Sequence, residues 1–286
     1  MNTLLLKKKI ESFLQEDLEF GDLSTQLFSH RSIEGYFIAK QAGIICGLQV
    51  INATYQLFDS NIKLSLLVKE GEKVEVGQKI AYVKGDAAVL LSCERVILNL
   101  LQHMSGIASH TALMIKKLND PLIKLVDTRK TTPGLRLFDK YAVRIGGGYN
   151  HRLSLSDGIM IKDNHIALAN SIIPALQLAH KNAGPLTKIE IEVETLKELK
   201  DAIRGRADVI MFDNQTPQTI KKWAHIVPKT IKTEASGGIT EKNIAQYKGC
   251  GVDFISSGEL TNNIHVLDIS FLVNNAVKIN NQNKLS

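Results

Sequence analysis

Long apolar runs are missing from this chain of 286 residues. The longest, such as residues 87–91, fall far short of the roughly 20 residues a membrane span needs, and Lys7, Lys8 and Lys9 interrupt the first ten residues. Neither a spanning helix nor a signal peptide is expected. Cysteine is also scarce. Cys46, Cys93 and Cys250 are odd in number and far apart, which argues against a disulfide framework and against a paired-cysteine zinc or redox site, and makes a reducing cytoplasm the expected setting. No GxGxxG fingerprint reads through Gly146-Gly147-Gly148, and the spacing of His151 and His165 matches no metal-binding pattern. The triple glycine is expected to form a loop where backbone approaches a ligand. The net charge of +6 and pI near 9.1 come without a lysine- or arginine-rich tail and without aromatics interleaved among basic residues. An anionic small molecule therefore fits at least as well as a nucleic acid. Lysines such as Lys116, Lys117, Lys221 and Lys222 are read as solvating the surface.

What is present is a globular composition, 44% hydrophobic and 22% charged, in a chain long enough for one large domain or two moderate ones. Leu4, Leu5, Ile10, Phe13, Leu14 and Leu18 suggest an opening amphipathic helix, with Leu6 blurring its apolar face. Residues 33–40 and 62–68 read as strands, followed by a glycine-punctuated turn region over 69–80 and another short strand. That region superficially resembles a lipoyl or biotinyl hammerhead but lacks a carrier lysine in the needed hairpin, so it is taken as scaffold. From 87 to about 118 the chain lacks proline and has helical composition, predicting one long helix or two broken near Ser105-Gly106. Beyond it, short β-type runs at 123–126, 158–161, 188–193, 209–212, 230–233 and 252–255 alternate with helical segments. That alternation implies a parallel α/β sheet, either a reduced barrel or an open doubly wound sheet. No repeat of fixed period is found, and low complexity is confined to the polar residues 280–286.

Parallel α/β folds place ligands at the carboxyl ends of their strands, and each of the six runs ends in polar residues. The first is followed by Asp127-Thr128-Arg129-Lys130-Thr131-Thr132-Pro133-Gly134, the second by Lys162-Asp163-Asn164-His165, the third by Glu192 and Glu194, and the fourth by Asp213-Asn214. The fifth is followed by Glu234-Ala235-Ser236-Gly237-Gly238 and the sixth by Ser256-Ser257-Gly258. The last two loops are small and glycine-rich ahead of helical segments, so their N–H groups can cradle a phosphate. The cations between Arg129 and Lys162 suit a polycarboxylate or polyphosphate. Arg129, Lys130 and Lys162 at strand ends are assigned to function, whereas Arg136 and Lys140 are expected to be solvated helix charges. Glu192 and Asp213, on neighbouring strands, can hold Mg²⁺ or grip ribose hydroxyls, with a general acid/base pair as the alternative. Of Glu190, Glu192 and Glu194, at least one is expected at the ordinary surface.

Asp127 to Gly134, Lys140-Tyr141-Ala142-Val143-Arg144, Gly146 to Arg152, Leu155-Ser156-Asp157 and Ile161 to His165 together resemble the signature of the quinolinate phosphoribosyltransferase family. The resemblance extends from Glu16 to Asp22 through Glu94 to Asn99 and Ser105 to Ala108 to Ser256-Ser257-Gly258. It implies an N-terminal α/β sandwich domain over residues 1–112, completed by about 266–286, and an incomplete α/β barrel of six to seven strands over 113–265. It implies a homodimer with the active site at the interface, the substrates quinolinate and phosphoribosyl pyrophosphate (PRPP), and Mg²⁺ as cofactor. Arg129, His151, Arg152 and Lys162 would bind the quinolinate carboxylates, joined by Arg95 of the other subunit. Thr128 and Lys130 would also meet substrate, Lys130 lying near both ligands. Glu192 and Asp213 would face ribose and metal, with Lys130 as the third catalytic residue. Ser236, Gly237, Gly238, Ser256, Ser257 and Gly258 would take the 5′-phosphate. Glu259, after the last glycine, departs from the family's small or apolar pattern. The nearest rival is a paralogous fold-mate linked to molybdate transport, which as a family lacks the interface arginine; a non-catalytic anion-binding module and a nucleic-acid binder are others.

Overall fold

A computed structural model describes residues 1–28 and 30–274. Expectations for 275–286, including the polar tail and the end of the completing segment, lie outside the described residues. The chain divides into two compact units: Met1–Gly106 together with the segment from Val266, and Ile107–His265.

The first unit opens with helix α1 (Thr3–Asp17), whose N-terminal N–H groups are capped by the Asn2 side chain. Its buried stripe is Leu6, Ile10 and Leu14 at i, i+4 spacing, while Leu4 and Leu5 face solvent. Leu6 thus belongs to the packing face instead of blurring it, because these three residues align on one side of a 3.6-residue helix. After β1 (Ser32–Ala39), β2 (Gly43–Ile44), α2 (Leu48–Phe58), β3 (Lys63–Leu66), β4 (Lys73–Val74) and β5 (Lys79–Asp86) come two helices, α3 (Ala87–Ser92) and α4 (Glu94–Leu118). They are interrupted at Cys93, not at Ser105-Gly106. Ser105 is fully buried and its hydroxyl accepts the Cys46 N–H at 3.0 Å. The small residues there let another backbone approach a continuous helix, so they do not end it. With the late strand β12 (Ile269–Val273), the unit forms an antiparallel sheet in the order β12-β1-β5-β3.

The second unit contains β6 (Lys124–Val126), α5 (Arg136–Ile145), β7 (Ile159–Ile161), α6 (Asp163–Leu168), α7 (Ile172–Asn182), β8 (Ile189–Val193), α8 (Leu196–Arg204), β9 (Val209–Asp213), α9 (Pro217–Ala224), β10 (Lys232–Ser236), β11 (Phe254–Ser256) and α10 (Glu259–Asn262). Its six strands are all parallel in the order β6-β11-β10-β9-β8-β7. Chain succession round the sheet, with the first strand paired to the last, is the winding of a barrel cut between β6 and β7, not of an open doubly wound sheet. A parallel bridge from Val126 to Tyr149 begins a further strand at that cut. The fifth strand starts later than the sequence suggests and runs on through Ser236, so Glu234 and Ala235 lie inside it.

The triple glycine serves packing. A Cβ on Gly146 would lie 2.4 Å from the Ala108 carbonyl oxygen of α4, and one on Gly148 would lie 2.9 Å from Thr111 Cγ2. These glycines seat α5 against α4, and the expected loop at a ligand is replaced by a helix contact.

Candidate active site

A cavity of about 820 Å³ opens at the carboxyl ends of the barrel strands, and all its lining residues come from the second unit. It gathers Thr128, Arg129 and Lys130 after β6, Lys162 after β7, Glu192 on β8, Asp213 on β9, Ser236, Gly237 and Gly238 at the end of β10, and Ser256 on β11, with His151 and Arg152 beside them. Arg95 is exposed in the first turn of α4, in the first unit.

Two guanidiniums, Arg129 and Arg152, lie close enough at the cavity to act on each other. Burial lowers the Arg152 pKa, and the nearby positive charge of Arg129 lowers it further. Arg129 Nε is buried and has no hydrogen-bond partner. An unpaired buried donor on a cation is costly to leave unmade, and an anion with carboxylates in the cavity would satisfy it. Lys162 pairs with Glu192. Burial raises the Glu192 carboxyl; Lys162 opposes that shift, while the charges of Asp213 and Glu190 add to it.

Beneath this floor lies a pair that sequence reasoning misplaced. Lys140 is 4% exposed, not solvated. Its ammonium meets Asp127 Oδ1 at 2.5 Å and donates to the carbonyls of His151 and Arg152, both at 3.1 Å. Asp127 also accepts Asn150 Nδ2 at 2.6 Å and the His151 N–H at 2.9 Å. Burial pushes Asp127 up and Lys140 down, and each pulls the other back. One buried ion pair therefore fixes the backbone that presents His151 and Arg152. Arg136 is half-buried, and its Nε donates to Thr131.

Alternation on β8 puts Glu190 on the same side as Glu192, one layer lower. There it meets His151 Nε2 at 3.0 Å, with Glu234 of β10 at 3.5 Å. Glu194 is the surface member of the trio. Burial alone would lower the His151 imidazole, but the hydrogen bonds and charges of Glu190 and Glu234 outweigh it and carry the ring up to about 10. Burial raises the Glu190 carboxyl against the pull of His151. The Arg152 N–H points at His151 Nδ1 at 2.8 Å, so in the neutral ring the proton sits on Nε2, facing Glu190. That nitrogen is then a donor and not a metal ligand, although the three side chains are close enough to surround an ion. Sequence reading missed Glu190 and Glu234 as partners of His151; the two-residue step from Glu190 to Glu192 was the available signal.

The phosphate-loop expectation divides. Gly238 has φ +61 and open space where a Cβ would be, and Gly237 has φ +96 with a would-be Cβ 2.2 Å from Asn214 Oδ1, so both need glycine. Ser256 Oγ is buried without a partner at the cavity. Ser257, however, donates its hydroxyl to the Ile239 carbonyl at 2.6 Å and its N–H to the Val126 carbonyl. It has no donor left for a phosphate and acts as a tie inside the fold. The helical segments expected to follow are slight: a short turn at Ile244–Tyr247 and the single-turn α10.

The family described as Quinolinate phosphoribosyl transferase, N-terminal domain, matches residues 22–105, and its C-terminal domain matches residues 107–272. The chain belongs to the quinolinate phosphoribosyltransferase family. Within it, a probable carboxylating nicotinate-nucleotide pyrophosphorylase of Bacillus subtilis is 50% identical over 271 residues, covering 94% of each chain. Among solved structures, NadC of Streptococcus pyogenes superposes with TM-score 0.92 at 39% identity over 95% of this chain and 97% of that one. The nicotinate-nucleotide pyrophosphorylase of Francisella tularensis gives TM-score 0.91 at 36% identity over 96% and 97%. In this phosphoribosyltransferase, no described helix is long and apolar enough to cross a membrane.

Proposed function

We infer that the cavity converts quinolinate and PRPP to nicotinate mononucleotide, carbon dioxide and pyrophosphate. The observation that carries this reading is the adjacency of two opposed charge sets. Arg129, Arg152 and Lys162 offer cations to a dicarboxylate, while Glu192 and Asp213, on neighbouring strands of the same cavity, suit the ribose side.

In the reaction, the bond from ribose C1 to pyrophosphate breaks with its electron pair leaving on pyrophosphate, and positive charge grows on the sugar. The carboxylates of Glu192 and Asp213 are preorganised to stabilise that charge. The pyridine nitrogen then bonds to C1. Its positive charge lets the bond from C2 to the neighbouring carboxylate break, leaving the electron pair on C2, which takes a proton as carbon dioxide departs. No side-chain nucleophile is needed. The guanidiniums and Lys162 orient the ring, and orientation alone can supply several kcal/mol.

Glu192 and Asp213 also fit Mg²⁺: they are acceptor-only oxygen ligands facing one open cavity, and Mg²⁺ takes one or two carboxylates plus substrate phosphates and water. When bound, the ion would supply positive charge to the departing pyrophosphate. We further read the enzyme as a homodimer in which Arg95 reaches the partner's site, supported by its exposure on α4. A reducing, cytoplasmic setting is supported by three buried cysteines that are all free, whose thiols burial raises. Pyrophosphate release from quinolinate plus PRPP tests the reaction. EDTA should abolish it and excess Mg²⁺ restore it; turnover indifferent to chelation would overturn the metal assignment.

A further inference from the structure

The loops after β10 and β11 are tied to each other and to Lys130. The Thr261 hydroxyl donates to the Lys130 carbonyl at 2.9 Å, and a Cβ on Gly258 would lie 2.9 Å from Lys130 Cδ, so the segment from Gly258 to Thr261 is pressed against that lysine. Between the loops themselves there are two links. One is the Ser257 hydroxyl on the Ile239 carbonyl. The other is Glu259, whose Oε2 accepts the Glu241 N–H at 2.6 Å.

Glu259 is mostly shielded, its side chain 18% exposed, and the same oxygen lies 3.6 Å from His110 Nε2 on α4. The Glu241 side chain is held from the other side by Lys117 at 2.7 Å and stands 3.6 Å from His110 Nδ1. The carboxylate of Glu259 thus turns away from the cavity, and its charge does not oppose a phosphate there directly. It fixes the far end of a loop whose two cavity residues, Gly237 and Gly238, both have positive φ and little intrinsic stiffness. A carboxylate accepting a backbone N–H is a strong, charge-assisted bond.

We propose that Glu259 is a positioning residue for PRPP, holding the β10 loop against the β11 loop so that both present their backbone to the 5′-phosphate. This rests on the phosphoribosyl-transfer reading above. The test is steady-state kinetics of the full-length enzyme, with KM measured separately for each substrate. Glu259→Ala should raise KM for PRPP about tenfold, equivalent to one hydrogen bond's worth of positioning, with KM for quinolinate unchanged. Glu259→Gln keeps an oxygen acceptor for the Glu241 N–H and should return KM for PRPP to within about twofold of wild type. An unchanged KM for PRPP in Glu259→Ala overturns the proposal, as does a parallel rise in both KM values with a lowered melting temperature, which marks a merely structural role. Glu259→Gln as impaired as Glu259→Ala also overturns it. A wild-type protein that fails to turn over PRPP at all would instead remove the underlying reading.

Discussion

Replacing Lys140 by Met removes one half of the buried pair while nearly preserving side-chain volume. The ammonium makes three contacts, with Asp127, the His151 carbonyl and the Arg152 carbonyl, and the site is almost dry. Unpairing a buried ion typically costs about 3 to 5 kcal/mol. Asp127 keeps Asn150 and the His151 N–H as donors and can take up a proton, which bounds the loss near the lower end, about 3 kcal/mol. For a unit of this size that corresponds to a fall in melting temperature of about 6 to 12 °C. Burial already raises Asp127, and loss of Lys140 raises it further. A carboxyl raised in the folded state binds its proton more tightly than when unfolded, so its cost is absent below the unfolded value and grows as pH rises through the folded one. The deficit of Lys140→Met should therefore be smaller at pH 5 than at pH 8, as read by circular-dichroism melting. Adding Asp127→Asn removes the orphaned charge and should recover about half of the loss. A wild-type melting temperature in Lys140→Met, a deficit that grows toward acid, or a double variant no better than the single one would refute the reasoning.

Glu192→Gln and Asp213→Asn should each lower kcat by about 100-fold while quinolinate affinity by calorimetry stays within about threefold; lost quinolinate affinity with an intact PRPP response would reverse the assignment. Nicotinate, lacking the second carboxylate, leaves one charged contact unmade and should show kcat/KM lower by about 10- to 150-fold, and parity with quinolinate would contradict the cation assignment. If Arg95 acts across a dimer, a purified mixed dimer of Arg95→Ala and Lys162→Ala chains has one intact site and should show about half of wild-type activity. Activity no higher than either mutant homodimer would place Arg95 elsewhere.

The strand ends were legible in the sequence because polar residues after short β-runs report directly on the ligand face of a parallel sheet. Arg129, Lys162, Glu192 and Asp213 were found that way, and the cavity brings them together. Barrel closure was not readable from spacing, since the β6 to β11 pairing joins residues about 130 positions apart. Lys140 was misjudged because a lysine on an amphipathic helix looks solvated until its long-range partner is placed; only the fold sets it on Asp127. The same holds for Ser257, whose sequence context matches that of Ser256 although one hydroxyl serves the fold and the other remains unpaired. Gly146 and Gly148 misled for a related reason: glycine signals close approach without saying whether ligand or helix approaches.

The central claim is that one cavity couples ribosyl transfer to loss of a carboxylate. Quinolinate labelled with ¹³C in the carboxyl at C2, mixed with PRPP, Mg²⁺ and the enzyme, tests both halves at once. The account predicts labelled carbon dioxide, pyrophosphate and unlabelled nicotinate mononucleotide in equal amounts. Pyrophosphate formed without labelled carbon dioxide, or a protein that binds quinolinate yet yields no nucleotide, would contradict it.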